Sequence, residues 1–181
     1  FEELLAHHLS LLRLREIARQ QTAQRLSPDS ELTQRFLKAL SFSMTMAQDR
    51  VIEEICNDLS QPEPMLRLLQ GDVGSGKTVV AALAALQAVA NGFEVAIMAP
   101  TEILAEQHLQ AFKSWFEPLG INIAWLAGRV KGAARKNALS SIQNGEAQVI
   151  IGTHALFQNS VQFSQLAMII IDEQHRFGVH Q

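Results

Sequence analysis

The pattern of apolar and polar residues along the chain changes character near residue 65. Before that point apolar residues recur at helical spacing, which predicts three amphipathic helices. The apolar stripe of the first helix consists of Leu5, Leu9, Leu12 and Ile17. The stripe of the second consists of Leu32, Phe36, Leu37 and Leu40. Ser27 or Ser30 is the expected N-cap of the second helix, because a serine hydroxyl accepts from a free N–H of the first turn.

The third predicted helix begins after Thr45. Thr45 and Gln48 have the spacing of a capping box, in which each side chain accepts from the other residue's backbone N–H. The apolar positions that follow are Val51, Ile52, Ile55 and Leu59. The prolines of QPEP, residues 61–64, then end the helical region.

After residue 65, short apolar runs alternate with helical segments. The strand candidates are residues 65–69, 95–99, 123–126, 149–152 and 168–171. The helices between them are predicted at 77–90, 102–116 and about 133–143, whereas residues 153–167 fit neither pattern clearly. Strands that alternate with helices form parallel sheets with crossover helices. We therefore predict a three-layer α/β/α domain with a parallel sheet, preceded by N-terminal helices.

Composition and charge narrow the class of protein. Of the 181 residues, 48% are apolar and 18% charged, which indicates a globular core. The net charge of −3 gives no overall positive field for nucleic acid, although helix N-termini and local patches can still bind phosphate. The single cysteine, Cys56, excludes an intrachain disulfide. The longest apolar helical run, residues 79–90, is too short to cross a bilayer, so we expect a cytoplasmic protein without a membrane partner.

The segment GDVGSGKT follows a predicted strand and opens a predicted helix. It matches the phosphate-binding loop pattern, in which glycines allow backbone N–H groups to turn toward phosphate oxygens. Lys77 is expected to reach the terminal phosphates of ATP, and the Thr78 hydroxyl to ligate Mg²⁺. A glycine-rich turn that binds nothing is the alternative, and the strand–helix context argues against it. The expected nucleotide-binding residues of the loop are Gly71, Asp72, Val73, Gly74, Ser75, Gly76, Lys77 and Thr78.

Two adjacent carboxylates, Asp172 and Glu173, follow the apolar strand at 168–171. A hydrophobic core would exclude them, but the carboxyl ends of parallel strands are where α/β proteins bind their ligands. The strand therefore delivers two acids to the edge that carries the phosphate loop. We expect Asp172 to hold Mg²⁺ and Glu173 to activate the attacking water.

Polar residues also follow three other strands at the same edge, in APTEILAEQH (99–108), GRVKGAARK (128–136) and GTHALF (152–157). Threonines at strand ends and basic side chains suit contacts with nucleic-acid phosphates. The threonines are Thr101 and Thr153, and the basic residues are Arg129, Lys131, Arg135 and Lys136. On spacing alone, helix caps and a solvated basic face account for these residues better.

Four segments of the chain resemble, in this order, motifs I, Ia, Ic and II of superfamily 2 helicases. They are GDVGSGKT, APTEILAEQH, GTHALF and DEQHRFGVHQ. The chain is most similar to the RecG-type ATP-dependent DNA helicase family of bacteria, which remodels stalled forks and branched DNA. The resemblance covers residues 40–181, with DEQHRFGV as its most specific part. FEELLAHHLSLL also resembles that family's connector between its DNA-binding wedge domain and its motor.

The resemblance implies a RecA-like P-loop NTPase fold with ATP and Mg²⁺ as cofactors. It implies catalytic roles for Lys77, Asp172 and Glu173, and coupling of the ATP site to DNA by Gln174 and His175. The implied DNA-track residues are Thr101, Glu102, Thr153 and His154. FSMTMAQDRV resembles the adenine-contacting segment, which implicates Phe42 and Gln48; alternatively Phe42 is a core residue and Gln48 only completes the capping box.

The same resemblance implies a division of the chain into a helical connector (1–40) and a first motor domain (41–181). Nothing in the sequence resembles motif III, a second motor domain or a wedge domain, so we expect helicase activity on branched or forked DNA to require those further parts. Three alternatives remain. A transcription-repair coupling factor is disfavoured because we expect Glu-Gln after the acidic pair, where this chain has Gln174 and His175. Glu173 argues against a nucleotide switch that does not translocate, and no signature helix indicates a transporter subunit.

Overall fold

The computed structural model describes residues 21–173. The predicted first helix and the proposed coupling residues Gln174 and His175 lie outside this range. Within it, no helix combines the length and the apolar content that a membrane crossing requires.

Four parallel strands form the sheet at the centre of the molecule. They are β1 (Glu94–Met98), β2 (Ile123–Leu126), β3 (Val149–Gly152) and β4 (Leu166–Ile171). The spatial order is β2-β3-β1-β4, so the first strand in the chain lies inside the sheet. Because all pairs are parallel, the residues that follow every strand emerge at one edge.

Helices cover both faces of this sheet. They are α1 (Ser30–Ala39), α2 (Met46–Leu59), α3 (Lys77–Ala90), α4 (Glu102–Phe116) and α5 (Gly132–Gln143), with short 3₁₀ helices at Glu117–Leu119 and His154–Phe157. One core joins α1–α4 to strand residues such as Val95 and Ile151, and a second joins α5 and the His154–Phe157 helix to the opposite face, at Met98 and Ile150. The predicted three-layer α/β/α architecture is confirmed.

The strand predicted at residues 65–69 is wrong. This segment forms no ladder with another strand in the described structure, and Leu66 and Leu68 are 75% and 71% exposed. Its sequence, MLRLL, contains no β-branched or aromatic residue that would favour a pleated ladder. Arg67 instead forms ion pairs with Glu54 and Asp58 of α2, at 2.8 and 2.6 Å.

The cap of α1 also differs from the prediction. Asp29, rather than Ser27 or Ser30, is the N-cap, and its carboxylate accepts from Leu32 N at 2.9 Å. An aspartate at this position also places negative charge at the positive end of the helix dipole.

The described part of the N-terminal segment packs directly on the sheet-bearing domain. Phe36 of α1 is fully buried and makes edge-to-face contacts with Trp115 and Phe116 of α4, with ring centroids 6.0 and 5.8 Å apart. Leu26 N donates to Leu59 O at 2.9 Å. Residues 21–40 therefore share one hydrophobic core with the helices that carry the candidate site.

Candidate nucleotide site and strand-end edge

The predicted phosphate loop, residues 71–78, is an exposed turn that leads into α3. Ser75 N donates to Asp72 O at 3.1 Å and closes the turn, with Val73 at its exposed tip. Gly74 and Gly76 have φ angles of 81° and 79°, in the left-handed region that side chains disfavour. Gly76 is the N-cap of α3 and supplies no side-chain cap, so the first N–H groups of the helix remain suited to an anion.

Lys77 folds back across the loop that precedes it. Its Nζ donates to Gly71 O at 2.7 Å and to Asp72 O at 2.9 Å. The ammonium therefore lies within the loop and holds its two arms together. Phosphate oxygens, which carry full negative charge, are stronger acceptors for an ammonium than these carbonyls.

Gln48 connects α2 to the phosphate loop. Its Oε1 accepts from Thr45 N at 2.8 Å, and Gln48 N donates to Thr45 Oγ1 at 3.3 Å, so the predicted capping box is confirmed. Its Nε2 donates to Ser75 O at 2.8 Å. A Cβ at Gly76 would overlap this Nε2, so the glycine permits the close approach.

Phe42 precedes α2 and is 48% exposed, so it is not the core residue that one of the two interpretations required. An exposed aromatic ring close in sequence to Gln48 is compatible with stacking on a base. Its contact with adenine stays a prediction.

Asp172 and Glu173 lie at the carboxyl end of β4, as the sequence predicts. Asp172 N donates to Met98 O at 2.9 Å, which extends the β1–β4 pairing by one residue. The Asp172 Oδ2 atom is 2.7 Å from His108 Nε2 on α4. Glu173 has φ of 51°, a left-handed conformation that is uncommon for a residue with a side chain and that concentrates at functional sites.

The predicted DNA-track residues share the edge at which β1, β2 and β3 end, but their environments differ. Thr101 is the N-cap of α4, and its hydroxyl accepts from Leu104 N at 3.3 Å. Thr153 is 2% exposed, and its hydroxyl has no hydrogen-bond partner among the described residues. His154 and Lys131 are exposed. Capping therefore accounts for Thr101. Thr153 is buried, and its backbone N–H donates to Leu126 O while its backbone C=O accepts from Leu156 N.

Arg129, expected to face DNA, is held by two carboxylates of α4. Its backbone N–H donates to Glu102 Oε1 at 3.0 Å, and its Nη2 donates to Glu106 Oε2 at 2.8 Å. The hydrogen bond that Arg129 donates to Glu106, and the negative charge of Glu106, raise the pKa of the Arg129 guanidinium, which stays charged at every physiological pH. A nucleic-acid phosphate at this position would compete with Glu106 for the guanidinium.

Sequence reasoning missed two residues of this edge, Glu106 and His108. Glu102 and Glu106 have i,i+4 spacing, which places both carboxylates on one face of α4, so a charge pattern was present. His108 had no local signal, because its partner Asp172 lies 64 residues further along the chain.

Comparison with known proteins gives one family match. The family model described as DEAD/DEAH box helicase matches residues 45–181 of the chain. That range includes the phosphate loop, α4 and the Asp172–Glu173 pair.

Individual relatives are similar over the whole chain. It is 60% identical over 181 residues to the ATP-dependent DNA helicase RecG of Pasteurella multocida, 59% over 180 residues to that of Escherichia coli K12, and 48% over 184 residues to that of Bacillus subtilis. The chain spans 26–27% of the length of these relatives and 99–100% of its own. A structure of RecG bound to a three-way DNA junction superposes with a TM-score of 0.89 at 43% identity, covering 98% of this chain and 24% of that one.

Proposed function

The chain belongs to the DEAD/DEAH box helicase family, and from that premise we propose that it is the ATP-binding motor domain of a DNA helicase that remodels forks and other branched DNA. The relatives named RecG, and the RecG structure with a three-way junction, support this choice of substrate. Since the chain spans about a quarter of those relatives, we propose that DNA unwinding also requires a second motor domain and a wedge domain.

We assign ATP binding to the phosphate loop. Its residues 71–78 would wrap the phosphates with backbone N–H groups, while Lys77 exchanges its two carbonyl acceptors for phosphate oxygens. Gln48 would contact the base, and its hydrogen bond to Ser75 O, which links it to the phosphate loop, supports this role. Phe42 supplies an exposed ring for the base.

The residues that would hold Mg²⁺ are the Thr78 hydroxyl and the Asp172 carboxylate. Both are oxygen donors, and Mg²⁺ in nucleotide sites is commonly held by one or two protein groups together with phosphate and water. When bound, the ion neutralises charge that develops on the transferring phosphate. Glu173, one residue further, would orient a water molecule and accept its proton.

The DNA role is assigned to the edge at which β1, β2 and β3 end. Several residues predicted to contact DNA lie along this edge. They are the exposed His154 and Lys131, Thr101 and Glu102 at the N-terminus of α4, and Arg129. Thr153 is buried and both of its backbone polar groups are hydrogen-bonded, so we assign it no direct contact with DNA. Gln174 and His175 directly follow Glu173 in the chain, and we propose that they couple ATP turnover to DNA.

The observation that best supports this proposal is the course of α3, which begins at the phosphate loop, packs on β1 and β4 and ends just before the start of β1. The loop at its N-terminus therefore lies toward the strand ends that Asp172 and Glu173 follow. The test is displacement of a labelled strand from a three-way DNA junction by the full-length enzyme. We expect displacement with ATP and none with a non-hydrolysable analogue. Junction binding without ATP-dependent displacement would instead support a nucleotide-controlled switch.

A further inference from the structure

His108 and Asp172 form a contact that the proposed function does not use. Nε2 of His108 and Oδ2 of Asp172 are 2.7 Å apart, and the two side chains are only 15% and 33% exposed. An ionised carboxylate can only accept, so the imidazole donates from Nε2. Shielding from water strengthens such a hydrogen bond relative to one at the open surface.

The contact completes a two-point attachment of Asp172. Its backbone N–H donates to Met98 O, at the end of β1, and its carboxylate accepts from His108, on the helix that follows β1. One structural unit, β1 with α4, therefore holds both the main chain and the side chain of this residue. The contact with His108 uses Oδ2 of the carboxylate, and we assign Oδ1 to the ligand.

The helix α4 also contacts the predicted DNA edge, at a place separate from His108. Glu102 and Glu106, at the start of α4, bind Arg129 of the loop after β2. His108 lies two positions beyond Glu106. A displacement of α4 caused by a change at Arg129 would therefore act on the Asp172 carboxylate through one rigid helix.

We propose that His108 is a positioning residue that fixes the Asp172 carboxylate for Mg²⁺ and ties it to the helix that holds the Arg129 loop. This inference rests on the proposed function, in which Asp172 is a magnesium ligand. Groups that hydrogen-bond a metal-binding carboxylate orient it, and their loss commonly weakens metal binding 10- to 100-fold. His108 would thus affect the ion without touching it.

The first test measures how the affinity of the full-length enzyme for a non-hydrolysable ATP analogue depends on Mg²⁺ concentration. His108→Leu and His108→Asn remove the contact, the second because its amide is too short to replace Nε2. His108→Gln keeps a donor within reach, and Gln110→Leu is a matched control on an exposed position of α4. We expect the first two variants to need roughly 10- to 100-fold more Mg²⁺. Affinity without Mg²⁺ should be unchanged, and His108→Gln should restore most of the loss.

Different results of this test would overturn the metal role of Asp172 and the positioning role of His108. If the wild-type enzyme shows no Mg²⁺-dependent analogue binding, the assignment of Asp172 to a metal site fails. If it does, but both His108→Leu and His108→Asn keep the wild-type Mg²⁺ dependence, only the positioning role is overturned. A lower melting temperature with unchanged Mg²⁺ dependence would likewise make His108 a structural residue only.

The second test addresses the link to the DNA edge. Affinity for the analogue is measured at saturating Mg²⁺ with and without a three-way junction, and the ratio gives the coupling between the two ligands. We expect the ratio to move toward one in His108→Leu and to stay near the wild-type value in His108→Gln. Equal ratios in His108→Leu and wild type, or a wild-type ratio of one, would overturn the link.

Discussion

The Gln48 side-chain amide donates a hydrogen bond to the backbone carbonyl of Ser75, 2.8 Å away. This bond joins the start of α2 to the phosphate loop across 27 residues of sequence. The same side chain closes the capping box with Thr45. One residue therefore stabilises a helix and holds the loop that we assign to ATP, and these two roles can be separated by mutation.

We predict that Gln48→Ala weakens ATP binding about 2- to 10-fold, because one hydrogen bond to the loop is worth about 0.5–1.5 kcal/mol. Thr45→Ala is the matched control, since it breaks the capping box but leaves the Ser75 contact intact. Both substitutions should lower the free energy of unfolding by about 0.5–2 kcal/mol. Calorimetric titration and thermal melting check this; equal ATP affinities for the two variants would show that Gln48 acts only as a cap.

Lys77→Ala should weaken ATP binding by roughly 10- to 150-fold, because a charge-assisted hydrogen bond contributes about 1.5–3 kcal/mol. Lys38→Ala, at an exposed position in the last turn of α1, removes the same charge elsewhere and should bind normally. Calorimetric titration of both variants measures the difference. Unchanged ATP affinity in Lys77→Ala would show that the phosphate loop does not bind the nucleotide.

Glu173→Gln should separate binding from chemistry in the full-length enzyme. The amide keeps the shape of the side chain but cannot accept the proton of the attacking water, so turnover should fall about 10²- to 10⁴-fold. ATP affinity should change little. Steady-state ATP hydrolysis and titration check this against Glu63→Gln, an exposed control. Full turnover in Glu173→Gln would mean that another group activates the water.

Phe36→Ala tests whether α1 is part of the motor domain's core. The ring is fully buried against Trp115 and Phe116, so its removal should cost about 3–5 kcal/mol in the free energy of unfolding. Leu37→Ala, a neighbour that is 39% exposed, should cost less than about 1 kcal/mol. Urea unfolding followed by circular dichroism gives both values, and equal small losses would place α1 outside the cooperative unit.

Local signals in the sequence predicted much of the fold. The bounds of α3 and α4 agree with the prediction because a phosphate loop and the threonine cap at Thr101 mark where these helices begin. The capping box fixed the start of α2 in the same way. Residues 65–69 show the limit of such signals, since hydrophobicity alone does not supply the β-branched side chains or the neighbouring strand that a ladder requires.

The candidate site was predictable where its residues are adjacent in the sequence, as in the loop at 71–78 and the Asp172–Glu173 pair. It was not predictable where it depends on tertiary contacts. The pairing of His108 with Asp172 follows from the adjacency of β1 and β4, which only the strand order reveals. The hydrogen bond between Arg129 and Glu106 likewise joins residues 23 positions apart, on the loop after β2 and on α4.

We propose that this chain is the nucleotide-binding half of a DNA motor whose catalytic site needs a second domain. The most direct measurement is steady-state ATP turnover by residues 1–181 and by the full-length enzyme, each with and without a forked duplex. Loss of a transition-state arginine supplied by another domain costs about 10³- to 10⁵-fold in related phosphoryl-transfer enzymes. We predict fork-stimulated turnover in the full-length enzyme and almost none in the chain alone. Robust fork-stimulated turnover by residues 1–181 would show that the catalytic site is complete without a second domain.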